Sequence, residues 1–153
     1  MMTQAQAGRV ISARACKISA QIFDYGNLIA VTLSGVPLFL VGGDVGYGTI
    51  IAAVLGIVPM ILWFGASMFV YAMLRHHPNE KVGHYSQMAA YRFYPVLGSL
   101  IVVGTFFPPD LFYYRVYWLI TAAILIPWSI RDLIRINRDT WQDTVIPERA
   151  HHA

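Results

Sequence analysis

The chain has 153 residues, 57% of them apolar or aromatic and only 12% charged, about half the charged share of an ordinary soluble domain. That composition excludes a disordered chain and a water-soluble enzyme of usual make-up. Its single cysteine excludes an internal disulfide framework and any multi-cysteine zinc or iron–sulfur site.

A helix needs about 20 mostly apolar residues to cross the roughly 30 Å hydrocarbon layer, and four segments of that kind follow one another. The first covers about residues 22–41, with Asp24 and Asn27 close to its start. The second, 49–74, carries no charge and stops at Arg75. The third, about 91–107, begins beside Arg92, whose long side chain can snorkel to the headgroups, and ends at Pro108-Pro109. The fourth runs over 111–130 and holds Arg115 near one end. The expected fold is an all-α, polytopic membrane bundle of four transmembrane helices over 22–130. A segment precedes it (1–21) and an amphipathic tail follows (131–153).

Positive loops are held on the cytoplasmic side. Arg9, Arg14 and Lys17 precede the first span; Arg75, Lys81 and Arg92 surround the second connection; Arg131, Arg135, Arg138 and Arg149 follow the fourth. Arg115 alone falls on the opposite side. Both termini are thus expected in the cytoplasm, in a multi-pass protein of an inner membrane. Anionic inner-leaflet lipid accounts for the net charge of +3 without a nucleic-acid partner. No cleavable signal sequence fits, because the apolar region begins late and no small-residue cleavage site follows it.

Each span contains one proline, namely Pro37, Pro59, Pro95 and Pro127. Pro37, Pro59 and Pro127 are expected to kink their helices, and Pro95 to sit in a first turn. Small residues permit close helix approach in lipid, so Ala52-x-x-x-Gly56 and Gly65 mark the second span as the central packing helix. Beyond the fourth span, Ile130, Leu133, Ile134, Trp141 and Val145 fall near one helical face, an amphipathic docking surface with Arg131, Arg135 and Arg138. Arg75 and Lys81 make the loop 75–85 a second such surface.

Chemistry has few places to reside. His76, His77 and His84 are the densest ligand cluster, able in principle to hold haem or quinone. Their spacing is unfavourable: adjacent His76 and His77 diverge by about 100° on a helix, and Pro78 interrupts it. No catalytic nucleophile motif or phosphate-cradling glycine loop occurs, and the sequence calls for no cofactor or metal. Mid-depth hydroxyls (Thr32, Ser34, Ser67, Ser99, Thr105, Thr121) are expected to bond to backbone carbonyls. The span centres carry no ionisable group, and Asp24 is expected near the cytoplasmic surface. The leading expectation is a non-catalytic integral subunit of a larger inner-membrane assembly, such as a secretion or conjugation machine or a respiratory complex. Its partners would be the lipid bilayer and other membrane subunits, further copies of the chain included. The alternatives are a redox anchor holding haem or quinone at the histidines, and a small oligomeric transporter depending on Asp24.

Overall fold

A computed structural model describes residues 9–40, 47–108 and 110–146. Helices make up 85% of these residues, in the order β1 (Arg9–Ile11), α1 (Ala13–Leu40), α2 (Tyr47–Leu74), α3 (Glu80–Phe106), α4 (Leu111–Arg138) and β2 (Thr144–Ile146). The architecture is therefore the expected helical bundle. Three helices, α1, α2 and α3, are long and apolar enough to cross a membrane. The fourth, α4, in which Arg115 and several tyrosines and tryptophans interrupt the apolar run, is not among them.

The helices overrun the apolar segments from which they were anticipated. At 1.5 Å per residue the 28 residues of α1 span roughly 42 Å, more than the hydrocarbon layer requires. The excess of α1, α3 and α4 gathers at one end, where 13–21, 80–90 and 131–138 continue the bundle. Pro95 consequently lies in the middle of α3 instead of its first turn, and all four prolines sit inside unbroken helices. The glycine-rich stretch 42–48, where the sequence favours a turn between the first two spans, lies outside the described residues as far as Gly46, and Tyr47 and Gly48 already belong to α2. His151, His152 and Arg149 also lie outside them.

Each helix start is capped where the sequence offers a polar side chain. Ser12 Oγ accepts from Ala15 N at 3.3 Å and Asp143 Oδ1 from Ala13 N at 2.7 Å at the start of α1. Asn79 and Asp110 accept from Lys81 N and Phe112 N at the starts of α3 and α4.

The packing centre is α1, not α2. Cys16, Ala20, Phe23, Asn27, Ala30, Ser34 and Leu38 recur in steps of three and four and are all buried, the pattern of a helix enclosed along one face. The other helices pack against it. Indole rings lie on two of its glycines: a Cβ on Gly26 would meet Trp63 Cζ2 at 2.0 Å, and one on Gly35 would meet Trp118 Cζ2 at 2.5 Å. Ala52 and Gly56 of α2 are buried, Gly56 against Leu38 and Ser34, whereas Gly65 opens onto empty space. Phe23 anchors the core, edge-on to Trp63, Phe93 and Tyr94.

Beyond Arg138 the chain leaves the helix, so the amphipathic helix expected to continue to Val145 ends seven residues earlier. Instead β2 pairs antiparallel with β1, Val10 opposite Val145. Cys16, Leu74, Val82 and Ile136 form a small core beneath this pair, with Ile11 and Trp141 packed against it.

Candidate functional site

Along their whole length α1 and α4 run antiparallel in a fixed register. Gln21 Nε2 donates to Asn137 Oδ1 at 3.2 Å, Trp118 Nε1 to Val31 O at 2.9 Å, and Arg115 Nε to Leu38 O at 2.8 Å. This register brings two polar rows face to face. Asp24, Asn27 and Ser34 lie on the buried side of α1; Thr121, Ser129 and Asp132 lie on the buried side of α4, each at most 3% exposed.

At the end nearer the strands, the seam is ionic. Asp132, 2% exposed, accepts from Arg92 Nη1 of α3 at 2.6 Å. Trp128 stacks between two guanidinium groups, Arg92 at 4.9 Å and Arg131 at 4.7 Å, a position that holds Arg92 in place. Arg92 thus forms a charge-assisted interhelical ion pair with Asp132.

Asp24 differs. It is wholly buried, roughly 16 Å along α1 from Ala13, and it faces Ser129, Asp132 and Arg92. No hydrogen bond of ordinary length reaches either carboxylate oxygen. Asp24, at the edge of its expected span, and Asp132, beyond its own, are nevertheless enclosed by neighbouring helices, because the helices extend past the apolar segments. Next along the seam, Asn27 Oδ1 accepts from Trp63 Nε1 at 2.8 Å.

Toward the opposite end, Ser34 and Thr121 line a cavity of about 30 Å³ with Gly56, Tyr114, Tyr117 and Trp118. Ser67, Ser99 and Thr105 do bond to carbonyls within their own helices. Ser34 Oγ and Thr121 Oγ1, by contrast, are buried without a hydrogen-bond partner. Thr32 is exposed.

The sequence-nominated histidines do not converge. His77 Nδ1 accepts from Asn79 N at 3.1 Å in a local turn, His84 lies edge-on to Tyr85, and His76 is exposed. Among the described residues no group of three or more histidine, cysteine, aspartate or glutamate side chains is placed to share a metal ion. The two surfaces nominated for docking meet each other. Lys81 Nζ donates to Thr140 O at 3.0 Å and lies 3.8 Å from Asp139 and 5.9 Å from the Trp141 ring. Tyr85 OH donates to Asp139 at 2.9 Å, and Asn79 Nδ2 to Thr144 Oγ1 at 3.1 Å. Trp141 Nε1 donates back to Ile136 O at 2.8 Å. Arg75 stacks on Tyr71, while Arg135 and Arg138 stay exposed in the last turn of α4.

Sequence reasoning missed Asp132 and Ser129 as partners of Asp24. A signal was present, because Thr121, Leu125, Ser129, Asp132 and Ile136 repeat in steps of three and four.

No protein-family model, curated protein or solved structure matches the chain.

Proposed function

We propose that the chain is a four-span, non-catalytic subunit of a larger inner-membrane assembly, with both termini on the cytoplasmic side. Four crossings are favoured over three by the β1–β2 pair. Strands joined by hydrogen bonds share one side of a membrane, so the helices between them cross an even number of times. The in-register packing of α4 on α1 supports the same count, since Arg115 reaches a backbone carbonyl of α1 instead of standing alone in lipid. The lysine and arginine residues near β1, β2 and the α2–α3 connection favour the cytoplasm for that side.

The observation that carries the subunit reading is the outer half of α3. Gly98, Val102 and Thr105, spaced by four and three, form a face exposed to the surroundings. A Cβ at Gly98 or at Gly104 would meet nothing within 4 Å. Glycine costs a helix about 1 kcal/mol relative to alanine, and in lipid it is repaid where another helix comes close. Gly26, Gly35 and Gly56 are matched by neighbours inside the chain; Gly65, Gly98 and Gly104 are not, and of these Gly98 lies on the 98–102–105 face, which this reading assigns to a helix from another subunit.

Extraction in mild detergent followed by native mass spectrometry tests the proposal. The expected result is a particle larger than one chain that Gly98→Leu breaks down without loss of helix content. A monodisperse single chain from native membranes, with nothing co-purifying, overturns it.

A further inference from the structure

The seam between α1 and α4 holds an uneven number of charges. Two carboxylates enter it, Asp24 from α1 and Asp132 from α4, and α3 supplies one guanidinium, Arg92, bound to Asp132. From α2 comes no charged residue anywhere between 47 and 74; its contribution beside Asp24 is the Trp63 indole, committed to Asn27. With Asp132 and Arg92 neutralising each other, an ionised Asp24 would stand in the bundle shielded from bulk solvent and without a counter-charge of its own. A buried carboxylate so placed neutralises itself by taking up a proton.

We propose that Asp24 is a proton-binding site, with Arg92 as the group that governs its occupancy. While Arg92 is held by Asp132 and Trp128, Asp24 keeps its proton as a neutral carboxylic acid. Any movement that transfers the guanidinium to Asp24 makes the carboxylate the favoured form there, and the proton leaves to water. Arg92 is the hinge of this exchange because it is bound to Asp132 and lies within electrostatic reach of Asp24. The geometry beyond Asp24 fits a proton ligand. Asn27, Ser34 and Thr121 continue the polar rows outward, and the cavity on which the two unpartnered hydroxyls open has room for about one water molecule. The inference does not depend on whether the chain has partners.

Infrared spectroscopy of the full chain in lipid nanodiscs at neutral pH, in H₂O and in D₂O, reads the site directly. The expected wild-type spectrum contains a deuterium-sensitive carbonyl stretch of a protonated carboxylic acid. That band is lost in Asp24→Asn. It is also lost in Asp132→Asn, where Asp24 is intact but Arg92 is released to pair with it, an effect that a purely structural role for Asp24 would not produce. Circular dichroism confirms the fold of each variant, and Asp24→Ser replaces Asp24→Asn if the latter does not fold. The proposal is overturned if the wild type shows no such band, or if the band survives in the Asp24 variant. It is likewise overturned if the band is absent while sodium chloride, but not choline chloride, raises the melting temperature of wild type and not of Asp24→Asn; the site would then belong to a monovalent cation.

Discussion

Helices α1 and α2 are both 28 residues long and both contain a proline, yet they occupy opposite roles. The more apolar of the two, α2, lies at the periphery, with Leu62, Phe69 and Met73 more than two-thirds exposed. The helix that carries Asp24, Asn27 and Ser34 forms the hub. In water the order would be reversed. Where the surroundings are as apolar as leucine, an apolar side chain gains little by leaving them, and polar and small residues decide which faces meet. Ranking the helices by hydrophobicity therefore ranks their affinity for lipid, not their burial.

The contrast can be broken most forcefully at the ion pair. Arg92→Ala leaves Asp132 buried without a partner and is expected to cost about 3 to 5 kcal/mol, read as a large fall in thermal stability in detergent. Phe23→Ala removes the ring on which Trp63, Phe93 and Tyr94 pack. Its expected cost is about 3 kcal/mol, whereas Leu62→Ala on the outer face of α2 should stay within about 0.5 kcal/mol. Glycine substitutions sharpen the comparison further. Gly26→Ala or Gly35→Ala drives a methyl group into an indole that is hydrogen-bonded to α1, and is expected to cost about 1 to 3 kcal/mol. The opposite sign is expected from Gly65→Ala on α2, which meets nothing and gains up to about 1 kcal/mol from helix propensity. Equal losses at Gly26 and Gly65 in the same melting assay would refute the division into hub and periphery.

Much of the bundle was legible in the sequence because lipid imposes a length and an apolarity that can be read locally. The charge-free run from Thr49 to Leu74 and the stop at Pro108 delimit their helices almost to the residue. The candidate site was far less legible. Arg92 and Asp132 are 40 positions apart, and no local pattern states that α3 and α4 present them to each other. Asp24 and Asn27 read as the ragged edge of a span because the helix reaches back to Ala13, beyond the apolar stretch that announced it. The β1–β2 pair was hidden for the same reason. Two three-residue strands at opposite ends of the chain carry almost no periodicity, and their pairing follows from the helices that bring them together. The docking surfaces were identified from real clusters of polar and aromatic side chains, but the clusters turn out to recognise one another.

The pairing of the first helix with the last also sets an order of events during synthesis. When α1 is complete, the groups that will enclose Asp24 from α4 have not yet been translated, and they arrive only after about 90 further residues have been added. Until then the acidic edge of α1 has no α4 to cover it, and a chain halted before the final helix would keep that edge bare.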